Sequence, residues 1–430
     1  MKYYKVFNIV IIICFFSLSC KTDRKYADDE LIGDVTDSLK VDVHENANQN
    51  DKIAKAVFFI ENSASMFGYV NGFTEYVDVI SDLSEKQRFA LENTDREFFF
   101  VNGGKEIQIN NIGNDPILLK DQLNPKGFDI GDVSKSNLNS MLQLAMGKAK
   151  KDTISILISD GLYDIGKTEA PLNALSTKGK ETRSRFIERL SEGDLQTIIL
   201  KMNSRFKGNY YPVTGGIKQL SQNRPYYIWI FGRTKLLNEY FPNTYNKSLS
   251  GFQDSARFLK IEELEVPYEI STHEKRGAFK TDIKNKNILT DIEKDRNTND
   301  FQFSIAVDFS DIPFSESYLT STQNYSTSNS NYEIAKVSKV NNLKLYGLKI
   351  EPTHLVFLKS DKNPFGALKV SLQNNIPNWI EETAIDNEDN IKGDTKHTFG
   401  FKFLTDGIFE AYEYINNEES VVSFNVQLNK

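Results

Sequence analysis

Cysteine is almost missing from this chain. Of 430 residues, only Cys14 and Cys20 carry a thiol, so the body beyond residue 20 has no disulfide to staple it and no thiolate nucleophile. Histidine is nearly as scarce: His44, His273, His354 and His397 are far apart and form no zinc-type pair. There is no Gly-x-Ser-x-Gly elbow, no Walker loop and no dinucleotide fingerprint in a convincing context. Charge of one sign is not concentrated either. The 52 basic and 59 acidic residues leave a net charge of -7 with both signs mixed, which argues against a nucleic-acid surface. The apolar stretch at 6–16 is too short to span a bilayer comfortably.

What is present begins with that stretch. Lys2 and Lys5 precede it, and Ser17-Leu18-Ser19-Cys20 follows it, the layout of a secretory leader. It resembles a bacterial lipoprotein signal peptide, with Ser17 where the usual leucine stands. The resemblance implies that residues 1–20 are the leader, that Cys20 is lipidated as the mature N-terminus, and that the membrane is engaged through the lipid anchor. Lys21 after the cysteine favours the outer membrane of a Gram-negative envelope. The alternative is an ordinary leader with an incidental cysteine. Residues 21–52 are polar and aperiodic, as expected of a flexible tether reaching about 30 Å.

With 39% hydrophobic and 12% aromatic residues, the remaining length is enough for two cores. The stretch 56–69 organises the first. Ala56, Val57, Phe58, Phe59 and Ile60 have the composition of a strand buried on both faces. It stops at Glu61-Asn62-Ser63-Ala64-Ser65, where short oxygen-bearing side chains suit either a helix cap or a hard cation. Residues 73–87 carry Phe73, Tyr76, Val77, Ile80 and Leu83 at helical spacing, and 129–149 lead into a second helix with Leu138, Met141, Leu142, Ala145 and Met146 on one side. Strands are expected at 97–101 and 105–109, at 153–159 ending on Asp160-Gly161, at 195–202 and at 226–231. Residues 203–214 are aromatic and basic and read as a packed loop or, less simply, a partner surface.

Together these segments resemble the von Willebrand factor type A domain. Glu61-Asn62-Ser63-Ala64-Ser65 matches its Asp-x-Ser-x-Ser motif, Ser136-Asn137-Leu138 its Thr-Asn-Leu loop, and Ser159-Asp160-Gly161 its Asp-Gly turn. The resemblance implies an α/β doubly wound, Rossmann-like sheet over 53–245 with a metal-ion-dependent adhesion site at one edge. It further implies Mg2+ or another divalent cation held by Ser63, Ser65, Ser136, Asp160 and Glu61, with an acidic residue of a protein partner completing the metal site. Glu61 replaces the family's aspartate, so its extra methylene favours a water-bridged role over direct ligation.

Beyond residues 242–251 the period changes to two. Phe301, Phe303, Ile305 and Val307 alternate with polar neighbours, as do Leu368, Val370 and Leu372, and Val422, Phe424, Val426 and Leu428. Further strands are expected at 342–350, 354–358 and 397–404, giving a mostly β domain, a β-sandwich, over 252–430. Polar stretches at 281–300 and 321–331 read as surface loops. The functional expectation is a lipid-anchored binding protein of the cell envelope that is not an enzyme. Its alternatives are a metal-free structural component of an envelope complex and a metal-assisted hydrolase.

Overall fold

A computed structural model describes residues 52–85, 94–166, 168–242, 246–261, 264–341, 345, 347–416 and 420–430. The expected leader, Cys20 and residues 21–51 of the tether lie outside the described residues. The centre of the first sheet is β1 (Lys55–Glu61), whose alternate side chains enter two different cores. Ala56, Phe58 and Ile60 face one, and Val57 and Phe59 the other, which is why the strand is apolar without a break. It pairs in parallel with β2 (Asp95–Asn102) and with β4 (Thr153–Ser159), while β3 (Gln108–Gly113) returns antiparallel along β2.

Beyond β4 the sheet departs from the doubly wound expectation. In that plan the strands after β4 continue in parallel. Here β5 (Gln196–Tyr210) and β6 (Lys218–Gly232) form one long antiparallel hairpin, and β6 inserts between β4 and β5. The seventh strand, β7 (Phe252–Phe258), runs antiparallel to β5 at the outer edge. The order among the described residues is β3-β2-β1-β4-β6-β5-β7. The molecule is therefore α/β with a large mixed sheet.

Helices cover both faces. On one lie a 3-10 helix (Ala64–Val70), α1 (Glu75–Ser84), α2 (Pro116–Gln122) and α3 (Pro125–Phe128). On the other lie α4 (Leu138–Lys148) and α5 (Pro171–Ser191). A shorter α6 (Thr234–Tyr240) follows β6 and packs on the first face through Leu236 and Leu237. Thr74 caps α1 by accepting the Val77 amide, and Phe73, read as part of that helix, is instead 94% exposed ahead of the cap.

The second group of strands forms two sheets. One has the order β12-β15-β18-β10-β9, from β9 (Ala278–Thr281), β10 (Ile288–Glu293), β12 (Tyr325–Thr327), β15 (Gly366–Gln373) and β18 (Ser420–Leu428). The other is β13-β14-β11-β8, from β8 (Tyr268–Arg276), β11 (Phe301–Val307), β13 (Glu333–Lys339) and β14 (His354–Ser360). Phe301, Phe303 and Ile305 of the second sheet share one apolar cluster with Leu368, Val370 and Phe424 of the first. Both stretches read as polar loops contain strands, β10 in one and β12 in the other. A short helix, α7 (Glu316–Thr320), precedes β12.

The expected partition at residues 242–251 is crossed twice. β7 belongs to the first sheet, and the chain returns to that sheet's helical face through α8 (Asn378–Thr383) and α9 (Phe401–Ile415). The strand expected at 397–404 is only the short β17 (Thr398–Phe399), paired with β16 (Ala384–Ile385). Gly400 then turns in the left-handed region, φ 70°, and α9 begins. Its buried Phe401, Leu404, Ile408, Ala411 and Tyr412 recur at three and four residues, a period that short windows of alternating phenylalanine concealed. Helices α9 and α5 meet at Gly407 and Gly179, where a Cβ on Gly407 would stand 2.4 Å from the Gly179 carbonyl oxygen. Within 342–350, the described residues form no strand.

Candidate functional site

Four chain segments converge where β1 and β4 end. Glu61 is the last residue of β1 and is 1% exposed. The 3-10 helix starts immediately afterwards, with Ser63 in its N-cap position, yet the Ser63 side chain makes no cap bond. Its hydroxyl donates instead to Glu61 Oε1 at 2.6 Å. The cap explanation for this serine therefore fails, and the hydroxyl is turned toward the carboxylate. Ser65 Oγ lies 3.2 Å from Ser63 Oγ.

Ser136 arrives from 75 residues away and donates to the same Glu61 Oε1 at 2.7 Å. Its loop is tied down along its length. Asn62 Nδ2 donates to the carbonyls of Phe128 and Ile130, and Asn102 Nδ2 donates to Ile130 O and to Asn62 Oδ1. The Ala64 amide donates to Val133 O and the Gly103 amide to Lys135 O. Asn137 caps α4 by accepting from the Ser140 amide, leaving the neighbouring Ser136 hydroxyl for Glu61.

Asp160 follows β4 and is 5% exposed. The chain turns sharply there: Gly161 has φ 73°, and a Cβ on it would stand 2.8 Å from the Tyr227 ring. Asp160 Oδ1 accepts the Leu162 amide at 3.2 Å. All five residues proposed from the sequence, Glu61, Ser63, Ser65, Ser136 and Asp160, thus belong to one sheet edge.

The electrostatics are those of two carboxylates short of positive charge. Burial, and then the negative charge of Asp160, push the Glu61 carboxyl up from 4.5 to about 7, against the pull of the Ser159, Ser63 and Ser136 hydroxyls. Asp160 is also raised, chiefly by burial, with the Ser65 hydroxyl, the Leu162 amide and the Arg224 guanidinium opposing. Glu61 Oε2 is buried without a hydrogen-bond partner, although Ser159 is near enough to favour its charge. An unmet carboxylate oxygen in such a setting is costly.

Sequence reasoning missed four contributors. Asn62 and Asn102 position the Ser136 loop as described. Arg224 is buried, donates from Nη1 to Asp394 O at 3.2 Å, and lies 5.0 Å over the Tyr210 ring. Glu388 is buried; its carboxylate accepts from the Tyr210 hydroxyl and, at 2.6 Å, from the Val213 amide. No local motif signals these roles, because each acts on residues distant in the chain.

The stretch at 203–214, read as a loop, is largely strand. Tyr227 of β6 pairs with both Ser159 and Lys201, so β5 continues nine residues past the level at which β4 ends. The hairpin therefore runs on past that edge and bends over it. It is flanked by the 3-10 helix, through Gly68 against Gly208, and by the segment 386–397. That segment receives Gln222 Nε2 on the carbonyls of Ile391 and Asp394. Between the hairpin tip, the 162–166 loop and the Ser136 loop is a cleft of about 510 Å3, with Glu61, Ser63, Ser65 and Ser136 on its floor.

The donors are all oxygen, which suits a hard cation such as Mg2+. Ser63 and Ser136 spend their hydrogens on Glu61, so their lone pairs remain for a cation, and the orphaned Oε2 is a further donor. The residues present fit the group. Among the described residues no three His, Cys, Asp or Glu side chains form a cluster; this site has two carboxylates, and hydroxyls supply the rest.

No protein-family model, curated protein or solved structure matches the chain.

Proposed function

We propose that this chain is a lipid-anchored binding protein of the cell envelope, in which a von Willebrand A-like sheet edge holds Mg2+ or another divalent cation and takes an acidic residue of a protein partner. The carrying observation is Glu61: one oxygen gathers the hydroxyls of Ser63 and Ser136, and the other is buried without a partner. The order β3-β2-β1-β4, with β3 antiparallel, and the three motifs at one edge support the family reading. The continuation past β4 is this chain's own. Attachment at Cys20 rests on the leader sequence alone. Among the described residues no helix is long and apolar enough to cross a membrane.

Ser63, Ser65, Ser136, Asp160 and Glu61 would hold the cation. When bound, it supplies a positive centre with a position open to an anionic oxygen. The protein's own part is to keep the serines oriented through Glu61, to hold their loop through Asn62 and Asn102, and to shield the floor from bulk water within the cleft.

Calorimetry with Mg2+ and Mn2+ tests the reading. One site is expected in the unaltered chain and none in the Ser63→Ala/Asp160→Ala variant. Absent binding, or binding the variant leaves unchanged, removes the adhesion-type mechanism and leaves the metal-free assembly role. A screen of phosphoester and glycoside substrates is expected to show no turnover; turnover that depends on Asp160 would establish the hydrolase instead.

A further inference from the structure

A second cavity, of about 760 Å3, lies at the far end of the first sheet from the cation edge. Its volume is in the range of small-molecule sites, about 300–1,000 Å3. Leu190, Asp194 and Leu195 reach it from the end of α5 and the turn into β5, and Thr234, Lys235 and Asn238 from α6. β5 begins and β6 ends beside the start of β4, whereas Asp160 follows the end of β4.

The wall is apolar and comes from two cores. Leu190 and Leu195 belong to the cluster under α4 and α5, and Leu259, Ile261, Phe314 and Val421 to the cluster between the two later sheets. The cavity is thus the space left where two separately backed cores meet. Close-packed layers of this kind do not give way to fill such a space. Its border is also pinned, since the Ile261 amide donates to Asn416 Oδ1 at 2.9 Å and the Leu264 amide to Val421 O at 2.8 Å. Leu264 nevertheless remains 39% exposed.

The charged lining residues, Asp194, Lys235, Lys260 and Asp311, are all exposed, as is Asn238. Asp194 spends one oxygen on the Thr234 amide, at 2.8 Å, and the other on the Thr234 hydroxyl, at 2.7 Å. Asn238 Oδ1 accepts from Gln196 Nε2 at 3.1 Å, which leaves the Asn238 amide hydrogens to donate. Two ammonium groups and an amide donor therefore face one uncommitted carboxylate, that of Asp311.

We propose that this cavity takes a fatty acid, with its alkyl tail along the apolar wall and its carboxylate among Lys235, Asn238 and Lys260. A wholly apolar ligand would leave these donors unused, and a small polar anion would leave the wall in water. The inference is independent of the cation reading, because the cavity and the cleft share no lining residue.

The test uses the full chain with a dansyl-labelled undecanoic acid, whose emission brightens and moves to the blue in an apolar site, at lipid concentrations below micelle formation. One probe molecule per chain is expected, displaced by laurate, myristate and palmitate in rising order, roughly tenfold for each added pair of methylenes. Methyl palmitate should compete at least tenfold less well than palmitate. Leu264→Asp, at an exposed position, should weaken probe binding about tenfold with an unchanged urea midpoint. Lys235→Glu/Lys260→Glu should weaken palmitate but not methyl palmitate. No probe binding, or binding that Leu264→Asp leaves unchanged, overturns the site and leaves only a gap between cores. Equal competition by palmitate and methyl palmitate, or no dependence on chain length, overturns the fatty-acid assignment.

Discussion

Without a cation, Glu61 should contribute more stability to the folded chain in mild acid than in mild alkali, the reverse of most carboxylate effects. Burial and the neighbouring Asp160 raise Glu61 from 4.5 to about 7, and Asp160 is displaced in the same direction. A group whose pKa is higher folded than unfolded binds its proton more tightly in the folded state. Its contribution is fully present below about pH 4.5 and is lost as the pH rises through about 7. At about 1.4 kcal/mol per pH unit across that window, Glu61 alone removes on the order of 3 kcal/mol. A divalent cation reverses the trend, because it needs both carboxylates ionised. The ionised fraction of a group titrating near 7 rises about tenfold between pH 6 and pH 8, and apparent Mg2+ affinity should follow. The assay is urea unfolding from about pH 5 to pH 8, with and without excess Mg2+. Glu61→Gln keeps an oxygen for the two serines but cannot ionise, so the part of the slope due to Glu61 should vanish. A metal-free pH slope that is the same in Glu61→Gln as in the unaltered chain would overturn this assignment.

Three further substitutions have defined outcomes. Gly161→Ala forces a Cβ into left-handed backbone and against Tyr227; a loss of about 1–3 kcal/mol is expected in urea unfolding, and an unchanged midpoint would contradict it. Asn102→Ala removes one hydrogen bond to the Ser136 loop, at Ile130 O, and one to the Asn62 side chain that also holds it, costing about 1–3 kcal/mol and weakening Mn2+ binding several-fold by calorimetry. Unaltered Mn2+ affinity would mean the loop holds Ser136 without it. Glu388→Ala leaves the Tyr210 hydroxyl and Val213 amide without their acceptor. A cost of about 1–3 kcal/mol and faster hydrogen exchange at the Val213 amide are expected, and an unchanged exchange rate would argue against the Glu388 latch.

The parts of the fold that were legible in the sequence are those held by local pattern. β1 and β4 are short apolar runs ending on polar residues, and α1 and α4 show their buried faces at three and four residues. Strand direction after β4 was not legible, because nothing local distinguishes a parallel strand from one arm of a hairpin. The polar residues of β5 beyond Lys201 made a strand look like a loop, since that stretch runs past the end of β4 and, after Met202, pairs with β6 alone. The start of α9 lies in the range 397–404 expected as a strand, and its partner α5 lies over 200 residues earlier. The candidate site followed the same rule. Its five side chains are visible as three short motifs, but the rank among them was not. Glu61 looked the least secure because of its extra methylene, yet it receives both serine hydroxyls. That role depends on Ser136, and Ser136 depends on asparagines whose partners are distant in sequence.

The central claim is that the hydroxyls gathered by Glu61 face a divalent cation. An anomalous-scattering map from Mn2+-soaked crystals tests it most directly. A single strong peak is expected among Glu61, Ser63, Ser65, Ser136 and Asp160, absent in Ser63→Ala/Asp160→Ala. A map with no peak there, or with the same peak in the variant, would contradict it.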